Sequence, residues 1–142
     1  MTYWAIGDAD RLAELVAEGR KSISLLGTTD DLLDKDAILS VALLTAAEGK
    51  TAETERLIRA WYQGGALDLA GREINWEKAC QILGIAGAAE AAADCIRQGL
   101  EQPSLIMPFV EAQWPFYDPV RNHPAFIELV EELANWEEGA SL

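Results

Sequence analysis

The chain has 142 residues, half of them hydrophobic, with 24 acidic side chains against 11 basic ones and a net charge of −13. That apolar share excludes a disordered chain, and the acidity argues against nucleic acid and anionic membrane surfaces, which need clustered Lys and Arg. No apolar run approaches the roughly 20 residues of a membrane span, the N-terminus lacks a signal peptide's basic start and apolar stretch, and two cysteines make no disulfide framework. The expectation is one cytoplasmic domain over residues 1–142.

Alanine is abundant, β-branched runs are scarce and apolar residues recur three and four apart, which favours helices. No alternating run reads as a strand. A first helix is expected over residues 8–20, capped by Asp8 or Asp10, with Leu12, Leu15 and Val16 as its stripe. A spacer follows. The next helix opens between Thr29 and Asp31, either whole or in two pieces, and lasts to Glu48. Its opening acids, Asp30, Asp31 and Asp34, suit the positive helix N-terminus. Gly49 ends it. Thr51 then reads as the cap of a helix over 51–63, stopped by Gly64 and Gly65. Further helices are expected over 71–85, broken by Gly87, and over 88–98, stopped by Gly99. Residues 102–119 hold four of the five prolines and read as irregular or only briefly helical. A last helix is expected over 124–136, with Pro124 in its first turn and Asn122 or His123 as cap. Phe126, Leu129, Val130 and Leu133 lie on one side of it and Glu128, Glu131 and Glu132 on the other.

Gly7, Gly49 and Gly87 each precede a short polar step and a helix, at intervals of 42 and 38 residues. Aligned on them, Leu15, Leu57 and Cys95 coincide, as do Val16, Ile58 and Ile96. Arg59 falls on Arg97 and Leu44 on Ile82. With the turn glycine at the fifteenth place of a unit, Trp76, Cys80, Leu83 and Ala92 occupy the large, small, large and small places of a tetratricopeptide repeat. Ile38, Ala42, Thr45 and Thr54 do so less closely one unit earlier. The chain resembles that family, whose repeat has about 34 residues of helix–turn–helix. The segment from Trp114 to Phe126 strengthens the likeness. Its Phe116, Asp118, Pro119, Arg121, Pro124 and Phe126 are similar to the ending of tetratricopeptide regions in bacterial multidomain cyclases, kinases and transcriptional regulators.

The resemblance implies an all-α fold: a right-handed stack of antiparallel helical hairpins, with degenerate repeats over 1–100, a Pro-rich connector over 101–122 and a capping helix over 123–137. Stacked units need such a cap, because one hairpin cannot bury its apolar stripe alone. It also implies a concave face from the first helix of each unit. Carried over, that face is Asp36, Leu39, Leu43 and Ala46, then Ile74, Glu77, Gln81 and Gly84. The basic, Asn-rich clamp that such grooves use for acidic peptide ends is missing, since Lys78 stands alone among acidic and apolar neighbours. An apolar or basic segment fits better.

No residue constellation points to catalysis, a cofactor or a metal. His123, the lone histidine, has no nucleophile near it in sequence and reads as a cap. Asp118 and Arg121 read as a pair or as a brace for the proline-rich turn. Cys80 and Cys95 read as small buried hydrophobes; their spacing fits neither zinc nor a redox motif. The carboxylates form no calcium loop and the glycines no phosphate loop. Trp61 and Trp76 read as core, and Trp114 and Trp136 as flanking the cap. The leading expectation is therefore a non-catalytic module that docks a protein or peptide partner, with Asp36, Leu39, Leu43, Ile74, Glu77 and Gln81 as the surface. The alternative is a homodimer closed through a truncated first repeat, with Tyr3, Trp4 and Ile6 at the edge. A small enzyme or ligand sensor is a third reading.

Overall fold

A computed structural model describes residues 8–25, 35–63, 69–101 and 106–139, and among them there is no strand. Asp8 starts the first helix, α1 (Ala9–Leu25). Its Oδ1 accepts the Arg11 backbone N–H at 3.1 Å, satisfying one of the donors a helix start leaves open. The helix runs past Arg20, and within it the Ser22 hydroxyl donates to the Glu18 carbonyl at 3.0 Å, so the polar step expected to break it lies inside the helix.

Next come α2 (Lys35–Ala47) and α3 (Thr51–Gln63), then α4 (Leu69–Ile85) and α5 (Ala89–Leu100). Each pair packs as an antiparallel hairpin. Both turns close in the same way. Gly49 and Gly87 adopt φ of 73° and 74°, and each N–H bonds a carbonyl three residues back. The next N–H, of Lys50 or Ala88, reaches the carbonyl five back, Thr45 or Leu83. This double closure requires a left-handed residue, which glycine adopts without a Cβ penalty. Thr51, expected to cap α3, does something else: its hydroxyl donates to the Ala86 carbonyl at 2.6 Å, latching the two turns together.

α2 packs on α4, α3 on α4, and α1 on α2. Small residues allow the close approach. Ala42, Ala79, Ala92 and Ala93 have no exposed surface. A Cβ on Gly19 would lie 2.9 Å from a Leu44 methyl, and one on Gly99 would meet Ile106 and Trp76. Arg20 secures α1 by donating to both Glu48 carboxylate oxygens and to Thr45 Oγ1, all at 2.9 Å.

The proline-rich stretch contains a single helical turn, α6 (Pro108–Glu111), and a 3-10 turn at Pro115–Tyr117. Then α7 (Pro124–Gly139) packs against α5 and α6. His123 Nδ1 accepts the Ala125 N–H at 3.3 Å, so the histidine caps α7. Phe126, Leu129 and Leu133 are buried. Val130, expected beside them, is 42% exposed, because it sits at the margin of that stripe. Among the described residues no helix is long and apolar enough to cross a membrane.

Candidate functional site

Part of the face expected to be an open groove, at Gly84 and Gln81, is covered by the chain itself. The 3-10 turn packs across α4. A Cβ on Gly84 would lie 2.5 Å from Tyr117 Cδ1 and 2.8 Å from the Phe116 carbonyl oxygen, so only glycine admits that approach. One turn back along α4, Gln81 donates to Glu77 at 2.8 Å and is also hydrogen-bonded to Glu111. The Tyr117 hydroxyl donates to Glu111 at 2.5 Å.

Glu111 is 1% exposed and Tyr117 fully buried. Burial pushes the Glu111 carboxyl up to about 7, and the negative charge of Glu77 adds to the rise; the hydrogen bonds from Tyr117 and Gln81 act the other way. Burial and the charge of Glu111 raise the Tyr117 hydroxyl well above its ordinary value. Two acids, an amide and a phenol thus form a closed polar cluster under the connector. It can hold the connector on α4, but it offers no surface to a ligand.

Two residues expected to present the partner surface are closed off. Leu39 and Gln81 are 6% and 7% exposed, and Ala46 is buried too. Leu43 is half-buried against the core. Glu77 is half-buried and bonded to Gln81. The side chains of Asp36 and Ile74 lie outside the described residues, as do Tyr3, Trp4 and Ile6. The sequence signal for this closure is a hydrophilic Glu111 amid Pro and aromatics, and a Gly at position 84 inside a helix.

The cysteines need a second correction. Cys80 and Cys95 are not separate small hydrophobes but a buried disulfide, with Cα atoms 5.4 Å apart. They lie nearly equidistant from Gly87, seven residues before and eight after, which in an antiparallel hairpin brings them face to face. That symmetry was the available signal. The cytoplasmic expectation rested partly on unpaired cysteines, and their pairing removes that support.

Beside the bond, the Tyr62 hydroxyl lies 2.7 Å from Cys95 Sγ, and burial raises the Tyr62 hydroxyl. A shallow hollow of about 190 Å³ opens there between α3 and α5, with Glu55, Arg59, Asp94 and Gln98 on its walls. A second hollow of about 400 Å³ runs along α1, between Leu12, Val16 and Arg20 and the end of α2.

Arg121 both pairs with Asp118, at 2.8 Å, and braces the turn by donating to the Ala112 and Trp114 carbonyls. Trp61 and Trp76 are buried, as expected, and Trp114 is partly exposed. Among the described residues no group of three or more His, Cys, Asp or Glu is placed to hold a metal ion. Comparison of the chain with protein-family models, curated proteins and solved structures finds no match.

Proposed function

We propose that the chain is a non-catalytic docking module of the tetratricopeptide type, a right-handed stack of helical hairpins that binds a protein or peptide. One observation supports this most: two hairpins with the same turn, at Gly49 and Gly87, stack through α2 and α4. The free face of α5 is then closed by α7, where Arg97 donates to both Glu132 oxygens at 2.7 and 3.0 Å. Such a scaffold presents surfaces built from neighbouring helices while each hairpin contributes to one shared core. The partner's chemistry follows from charge. A chain of net charge −13 steers apolar-and-basic segments toward itself and repels acidic ones. Selection of random peptides on the immobilised full chain tests the reading. Enrichment of sequences combining Lys or Arg with apolar residues is expected, and failure to enrich any family of sequences overturns it.

A second reading is a homodimer through the α1 end. The half-buried stripe of Leu12, Leu15 and Val16 beside the hollow there favours it. Light scattering across a concentration series decides: a constant monomer mass removes it.

A further inference from the structure

The apolar side chains that remain exposed are not scattered. Among the described residues, the exposed large hydrophobics are Met107, Val110, Trp114, Ile127 and Val130. All lie in the connector and the cap. Met107 immediately precedes α6 and Val110 lies within it, three residues apart and joined by a backbone hydrogen bond of 3.0 Å. Ile127 and Val130, also three apart, share one side of α7. The two helices pack on each other. Trp114 follows directly, stacked on Phe116 with ring centroids 6.1 Å apart. We propose that this end of the molecule is the docking surface: an apolar strip across α6 and α7 that receives an amphipathic partner segment with basic flanks.

The inference rests on the docking reading above and gives it a place and a ligand class. The occupant follows from the rim. Glu128 and Glu131 are exposed on α7. The nearby arginines do not neutralise them. Arg97 is committed to Glu132 and Asp94. Arg121 is committed to Asp118 and to backbone carbonyls. No Lys or Arg follows Arg121 in the sequence. An apolar strip with an uncompensated acidic edge matches a helix with an apolar stripe between lysines. A second copy of this chain would bring two acidic rims together, and an anionic lipid surface would be repelled in the same way.

The test uses the full chain, isotopically labelled, titrated with an 18-residue synthetic helix bearing a leucine stripe and lysine flanks. A twin peptide with glutamate flanks is the control. Expected are saturable NMR shifts at Val110, the Trp114 indole, Ile127 and Val130, with little response to the twin. The double variant Ile127→Ser, Val130→Ser should bind the lysine peptide about tenfold more weakly, with helical circular dichroism retained and the thermal midpoint lowered only modestly, since each side chain is just over half covered. Shifts confined to α1, or to the hollow beside Arg59, overturn this surface and leave the docking reading standing. No shift anywhere overturns the strip, and the reading above is then judged on its own peptide selection. Equal binding of both peptides overturns the charge argument. Self-association abolished by the double variant makes the occupant a second copy and overturns the proposal as well.

Discussion

The hairpins α2–α3 and α4–α5 share a turn, a bond pattern and a register, yet they are held by different chemistry. At seven residues before and eight after the turn glycine, the first hairpin has Ala42 and Leu57; the second has the Cys80–Cys95 bond. Next to the turn, Glu48 is an ion-pair partner of Arg20 and Lys50, whereas its counterpart Ala86 is buried and accepts the latch from Thr51. Ala46 in the first hairpin is a plain core alanine; Gly84 in the second makes room for Tyr117. One backbone plan thus accepts either a polar, reversible ion pair to a neighbouring helix or a covalent bond between its own two helices. What differs is position in the stack: besides the contact the two hairpins share, the first meets α1, and the second meets the returning connector and α7.

The contrast can be broken most strongly at the disulfide. Replacing the pair with the first hairpin's residues, Cys80→Ala with Cys95→Leu, should lower stability by about 3 kcal/mol, as loss of a cross-link closing a loop of this size does. Hydrogen exchange should localise the loss to α4 and α5 and leave protection in α2 and α3 nearly unchanged.

The buried acid sharpens it next. Glu111 titrates near 7 in the folded chain and near 4.5 unfolded. Between those values the native state holds the proton that the unfolded state has released. Stability should therefore fall as pH rises from about 4.5 to about 7, by roughly 3 kcal/mol, and level off above. Glu48 and Glu132, held below their ordinary value by Arg20 and Arg97, act in the opposite sense and only at lower pH. Denaturant titrations at several pH values should show the slope, and Glu111→Gln should flatten it.

Two glycine substitutions separate backbone need from packing need. Gly84→Ala should cost about 2 kcal/mol, because the new methyl drives into the Tyr117 ring and the Phe116 carbonyl. Gly49→Ala meets nothing within 4 Å. It should cost only about 1 kcal/mol, for the positive φ alone. Thermal unfolding of both variants checks the order.

The smallest effect belongs to the exposed ion pair. Glu48→Gln should cost less than ~1 kcal/mol and lose its effect in high salt, because solvent screens the Arg20 contact.

Helix existence was legible because its causes are local. Thr51–Gln63 matches the expected bounds, and Gly49 and Gly87 end helices where their left-handed backbone allows it. α1 and α7 run past their expected ends, to Leu25 and Gly139, since frayed polar turns continue when nothing forces a stop. The connector's path was not legible. Periodicity says which side of α4 faces inward, but not that a segment some thirty residues later will lie across Gly84 and Gln81. The disulfide is not legible for a related reason: no local motif marks it, while the hairpin turns a separation of 15 residues into a contact. The concave face was inferred from a likeness that places no connector there.

The aromatic cluster beside that bond has an optical consequence. Trp76 donates its indole N–H to the Cys95 carbonyl at 2.9 Å, and Tyr62 and Trp61 lie with ring centroids 4.9 and 6.3 Å from it. An indole so near a disulfide loses its excited state by electron transfer to sulfur. Trp76 should therefore be dim in the native chain, leaving the exposed indole of Trp114 a larger share of the emission. Fluorescence should brighten on reduction before the helices melt, so the second hairpin reports its own covalent state without any label.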